Sequence, residues 1–313
     1  MTTPSSHTDP ALDPVLMGDE FVPPTERRLP DSLELDAMGS LGVLELLNAQ
    51  DRNATEAVAA VLPDLAHLVE IAAERVRRGG SVHYFGAGTS GRLAFLDAAE
   101  LLPTFNLEPD VIVAHLAGDD RALVQAVEDA EDSVDNGRAA ASALTADDVA
   151  IGLTASGSTP YVGGALAEAR ARGAYAALVA NNPQPGLAHL ADLTIVVDTG
   201  AEVITGSTRL KAGTTQKLVL NGFSTALMVA LGRTWSNLMV SVVATNEKLR
   251  RRVVRILMQA TGLDEEASRT LLDACEGELK TAIVASLADV EPARARILLA
   301  AANGSVLDAL AVR

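Results

Sequence analysis

Residues 81–92 read Ser-Val-His-Tyr-Phe-Gly-Ala-Gly-Thr-Ser-Gly-Arg. An apolar run (Val82, Tyr84, Phe85) stops at Gly86, the hydroxyls of Thr89 and Ser90 follow, and an apolar-periodic segment starts at Leu93. The order is strand, tight glycine turn, helix N-terminus. Such a turn aims free backbone N–H groups at one point, where the helix dipole also favours negative charge. The stretch therefore asks for a phosphate and marks Gly88, Thr89 and Ser90 as candidate ligands. Gly86, Gly88 and Gly91 also fit the G-x-G-x-x-G dinucleotide pattern, but Leu93 and Phe95 crowd the helix, and Asp110 precedes its strand rather than ending it. A purely structural strand–helix turn is the third reading.

Outward from this loop, strands and helices alternate. Strands are expected at 81–86, 110–115, 148–153, 174–180 and 193–198. Helices are expected at 33–50, 54–77, 90–102, 120–131, 161–172 and 209–232. Near-continuous apolar strands such as Val149-Ala150-Ile151-Gly152-Leu153 imply a parallel sheet covered on both faces. The expected fold is α/β, a three-layer doubly wound parallel sheet with N-terminal helices. Residues 245–313 show helical periodicity without strand signals and predict a small all-helical C-terminal subdomain. The expected division is a flexible tail over 1–30, an α/β domain over 31–240 and the helical subdomain over 241–313.

The second informative loop is Thr154-Ala-Ser-Gly-Ser-Thr-Pro160. It too follows a buried strand and opens a helix. One such loop is ordinarily an N-cap. Two at the carboxyl ends of parallel strands face the crevice where ligands bind. Thr154, Ser156, Ser158 and Thr159 thus join Thr89 and Ser90 as candidate phosphate ligands.

Composition limits the partners. The 313 residues carry 41 acidic against 25 basic side chains, a net charge of −16. Nucleic acid is disfavoured. No stretch reaches the ~18–20 uninterrupted apolar residues of a membrane span, and no secretory signal is visible. A single cysteine, Cys275, excludes an intrachain disulfide and fits a reducing cytoplasm. The five histidines show no metal-ligand spacing with it, so no metal is expected.

The paired hydroxyl loops resemble the sugar isomerase domain family of phosphosugar-binding proteins. The block from Glu202 to Lys217 is similar to that family's Glu-then-Ser/Thr-Lys block. Within it, Thr25 to Ser32, Gly86 to Arg92, Asp97 to Glu100, Val127 to Asp132, Thr205 to Gly213 and Val243 to Leu249 resemble the N-acetylmuramic acid 6-phosphate etherase family. The resemblance spans residues 25–313. It implies a lyase that removes a D-lactyl ether from a phosphosugar by elimination and water addition, without cofactor, in cell-wall amino-sugar recycling. It implies Glu100 as the acid that protonates departing lactate and Glu131 as the second acid/base group. Spacing alone would leave both carboxylates on solvated acidic faces. Glu202, Ser207, Lys211, Asn246 and Lys248 are further candidates for substrate binding. A homodimer is implied. Ser158 stands where those etherases usually carry Arg. A non-catalytic phosphosugar-binding regulator and an aldose–ketose phosphosugar isomerase are the alternatives.

Overall fold

The computed structural model describes residues 21–242 and 247–311. Residues 1–20 of the tail expected over 1–30, and candidate Asn246, lie outside the described residues. The first described segment lies against the body, with Pro24 and Thr25 buried in a short 3-10 turn, Pro24–Glu26.

Helices α1 (Ser40–Ala60) and α2 (Leu62–Arg77) precede strand β1 (Val82–Gly86). The break falls at Val61, where Pro63 in the first turn of α2 has no N–H to continue α1. Then follow α3 (Gly88–Phe105), β2 (Ile112–Leu116), a four-residue α4 (Arg121–Val124), α5 (Val134–Ala141), β3 (Val149–Thr154), α6 (Pro160–Ala171), β4 (Tyr175–Ala180), β5 (Leu193–Val196) and α7 (Lys211–Ala230). The five strands form one parallel sheet in the order β2-β1-β3-β4-β5.

Alternate strand residues feed two cores. Val82, Tyr84, Ile151, Leu153, Val179 and Ile195 pack with α2, α3 and α7. Phe85, Ala150, Ala176 and Leu178 pack with α6. Both faces are covered, as the apolar strands require. Gly86 pairs with Leu116 on one side and Leu153 on the other, so three segments leave the sheet at a common edge: 87–92, 117–132 and 155–160. That edge lies where the strand order reverses about β1, which is where open α/β sheets place ligands.

Two local expectations fail. The helix expected over 120–131 is only α4. Gln125 is extended, Asp129 adopts a left-handed φ of 59°, and a 3-10 turn, Ala130–Asp132, follows. The side chain of Arg92 takes the carbonyls of Ala122 and Gln125 at 2.8 and 3.0 Å, so this segment answers to a tertiary contact rather than to its own periodicity. Helix α5 was not expected, because Asp135-Asn136-Gly137-Arg138 carries no apolar stripe.

Beyond α7 a hairpin joins β6 (Thr234–Trp235) to β7 (Leu238–Met239). Helices α8 (Glu247–Thr261), α9 (Glu265–Ala274), α10 (Leu279–Ala288), α11 (Pro292–Ala301) and α12 (Val306–Ala311) build a separate core around Leu257, Ile283 and Val306. Lys280 links the two parts: its Nζ donates to the carbonyls of Gly232 and Gly304 at 2.8 and 2.7 Å. Burial pushes its ammonium down to about 8. No helix among the described residues is long and apolar enough to cross a membrane.

Candidate active site

The loop after β1 closes tightly because of two glycines. A Cβ on Gly86 would lie 2.7 Å from the nitrogen of Gly91, and one on Gly91 would strike the side chain of Leu116. The first turn of α3 can therefore sit directly on the end of β1. Gly88 opens the helix with φ 53°.

The second loop is ordered by its own hydroxyls. Thr154, buried at the end of β3, bonds Thr159 Oγ1 at 2.7 Å and Ser156 Oγ at 3.2 Å, and accepts from the N–H of Gly157 at 3.2 Å. Ser158 donates to Ser156 at 3.1 Å through its hydroxyl. Asn182, just past β4, donates to the carbonyl of Ser156 at 2.8 Å and holds the loop from beneath.

The two loops share one cavity of about 400 Å³. Gly88, Thr89 and Ser90 line it from one loop, and Thr154, Ser156, Ser158 and Thr159 from the other. Glu131 and Asp132 line it from the 117–132 segment. Thr25, Glu26, Gly206 and Thr208 complete it. The N-termini of α3 and α6 meet there and favour an anion. Among the described residues no Lys, Arg or His lines the cavity, so hydroxyls, backbone N–H groups and helix dipoles carry the positive end.

The other sequence candidates lie elsewhere. Glu100 is exposed on α3, twelve residues beyond Gly88, or about 18 Å along the helix axis. It does not line the cavity. Its neighbour Asp97 is buried, accepting from Tyr84 and Ser224 at 3.2 and 3.0 Å, which fixes the rotation of α3. Burial raises the Asp97 carboxyl above its ordinary range. Glu202 is buried and accepts the N–H groups of Lys211 and Ala212 at 3.0 and 2.9 Å, capping α7. Burial raises its carboxyl too, against the lowering effect of those N–H groups. Lys211 is also buried and donates to Gln50 at 2.9 Å. Burial lowers its ammonium, against the pull of Glu202, Asp51 and Asp198. Ser207 sits in the turn between the lining residues Gly206 and Thr208, and Lys248 is exposed on α8. Among the described residues no cluster of His, Cys, Asp and Glu could hold a metal ion.

With this geometry in view, likeness to known proteins becomes informative. The family model for the glucokinase regulatory protein N-terminal SIS domain matches residues 64–170. The N-acetylmuramic acid 6-phosphate etherase of Thermobifida fusca is 54% identical over 264 residues, 84% of this chain and 87% of that protein. The chain belongs to the N-acetylmuramic acid 6-phosphate etherase family. The etherase of Klebsiella aerogenes is 46% identical, covering 91% of this chain and 96% of that one. A phosphoheptose isomerase structure from Francisella tularensis covers 61% of this chain and 98% of its own at 19% identity, with a TM-score of 0.49. Four cavity residues, Thr25, Glu26, Gly206 and Thr208, come from segments distant from both hydroxyl loops. Their sequence blocks resemble the family's, but no local pattern marks these four residues as site residues. Asn182 and the Arg92 clamp were missed, and no local signal marks them.

Proposed function

We propose that this chain is a lyase that cleaves the D-lactyl ether of N-acetylmuramic acid 6-phosphate, giving N-acetylglucosamine 6-phosphate and D-lactate. The observation that carries this is one cavity uniting two hydroxyl-rich anion loops with Glu131, in a chain 54% identical to a named etherase.

The chemistry follows from the substrate. In the open-chain sugar C1 is an aldehyde, so the C2 proton is acidic. A carboxylate takes it, the C2–H electrons form the C2–C3 double bond, and the C3–O bond breaks. The leaving oxygen receives a proton and departs as lactate. Water then adds to C3, and its proton returns to C2. Each proton transfer contributes about 10²–10⁴-fold. Thr89, Ser90, Ser156, Ser158 and Thr159 hold the phosphate, with Thr154 ordering the second loop. Glu131 works within the cavity.

Glu100 as the second acid/base group requires a homodimer in which a second copy presents it. Support comes from α3 itself: Phe95, Leu96 and Leu102 are exposed around Glu100, and Phe95 and Leu102 border an apolar groove against β2. Residues 31–240 form the phosphosugar unit and 241–313 the helical one. We place the enzyme in the cytoplasm, in the recycling of cell-wall amino sugars.

The test is incubation with N-acetylmuramic acid 6-phosphate and assay of D-lactate. Turnover by the wild type, with loss of at least 10²-fold in Glu131→Gln, supports the assignment. Ketose formation without lactate would replace it with an isomerase.

A further inference from the structure

Glu26 and Asp132 are the two cavity carboxylates for which the reaction as derived has no use, and Glu26 is the one held against Gly206. Its backbone is fixed. The N–H of Glu26 donates to the carbonyl of Pro23 at 2.9 Å, and Gly206 N donates to the carbonyl of Thr25 at 2.9 Å. Pro24 and Thr25 are buried, whereas Glu26 is exposed and lines the cavity. The carboxylate lies over Gly206, where a Cβ would come within 3.1 Å of Oε2. Gly206 also has φ 75°, so backbone conformation and space both favour glycine there.

Among the described residues no side chain or backbone N–H pairs with this carboxylate, and no cation lines the cavity. An unpaired carboxylate beside a phosphate site repels the phosphate. Donors supplied by the ligand would offset that repulsion. Bare phosphate brings at most one or two acidic protons. A phosphorylated amino sugar brings several hydroxyl groups and an amide N–H, and hydrogen bonds from these to a carboxylate are charge-assisted.

Building on the phosphosugar assignment above, we propose that Glu26 is a specificity-determining residue. Its carboxylate accepts hydrogen bonds from the hydroxyl or amide N–H groups of the sugar, so the site prefers a phosphosugar over bare phosphate. Glu26 selects by attraction to the sugar and repulsion of a naked anion, and takes no part in moving protons.

The test measures binding of N-acetylglucosamine 6-phosphate and of inorganic phosphate to wild type, Glu26→Ala and Glu26→Gln. The alanine variant should bind the phosphosugar tenfold or more weakly and inorganic phosphate as well as or better than wild type. The glutamine variant, which keeps an acceptor without the charge, should fall between them. With substrate, KM should rise more than kcat falls. Melting temperatures should not change, since the side chain is exposed and unpaired. An unchanged ratio of phosphosugar to phosphate affinity in Glu26→Ala overturns the proposal, as does a lowered melting temperature with equal loss of both ligands. Wild type that binds the phosphosugar but releases no lactate would refute the etherase assignment and leave this ratio test intact.

Discussion

The guanidinium of Arg92 donates to the carbonyl of Ala122 at 2.8 Å, and so ties the phosphate loop to the segment that carries Glu131. A second N–H reaches the carbonyl of Gln125 at 3.0 Å. The proposed anion anchor and the proposed acid/base group thus share one support. Arg92→Ala should lower kcat by roughly 10–100-fold, because a displacement of about 1 Å at a reacting group has that effect. Binding of inorganic phosphate should change little. Arg92→Lys should rescue only in part, since one ammonium cannot reproduce the planar fork. Steady-state kinetics with phosphate titrations checks this.

The proposed phosphate site has no cationic side chain among its described lining residues, and Ser158 is the place to add one. Ser158→Arg should tighten inorganic phosphate by roughly 10–100-fold, in line with the ~1.5–3 kcal/mol of a charge-assisted hydrogen bond. It should also make binding more salt-sensitive. Titration calorimetry at two ionic strengths would show both effects.

His83 and His115 make a pH-dependent contribution to stability. Their rings are stacked and joined by a 2.9 Å hydrogen bond, and His83 continues through Ser81 to Asp148. Burial, then the neighbouring His83, pushes His115 down to about 4. Burial also lowers His83, with Asp148 opposing. The unfolded chain therefore binds protons below about 6.5 that the folded chain refuses, and stability falls as pH drops from about 6.5 to 4. Asp148, held below its ordinary range by Ser81 and Thr145 despite burial, extends the loss to lower pH. Asp97, raised by burial, acts in the opposite sense. His115→Gln should flatten the limb between pH 6.5 and 4, measured by urea unfolding at several pH values.

Much of this was legible in the chain. β1, β3 and β4 announced themselves because strands buried on both faces must be apolar throughout, and the two hydroxyl loops follow β1 and β3 directly. Illegible features depend on contacts distant in sequence. The expected helix over 120–131 is interrupted where Arg92 binds its carbonyls. Helix α5 lies so close to α6 that Gly137 and Gly164 face the backbone carbonyls of Tyr161 and Val134, and such small residues erase the apolar stripe that marks a helix. The β6–β7 hairpin has two residues per strand, too few to show alternation. Glu26 reaches the cavity only because Thr25 is bound to Gly206, some 180 positions away.

The separation of Glu100 from Glu131 makes a prediction about assembly. If two copies share each site, mixing inactive Glu100→Gln and Glu131→Gln proteins under subunit exchange creates one intact site per mixed dimer. Activity should recover to about a quarter of wild type, since half of the dimers are mixed and half of their sites are intact. If both groups act within one chain, mixing restores nothing.

The most direct measurement follows oxygen through the reaction. Turnover of N-acetylmuramic acid 6-phosphate in ¹⁸O-labelled water should release one D-lactate for each N-acetylglucosamine 6-phosphate formed. The label should appear at C3 of the sugar and be absent from the lactate, because elimination breaks the C3–O bond and water replaces it. Label in the lactate, or no lactate at all, would contradict the account.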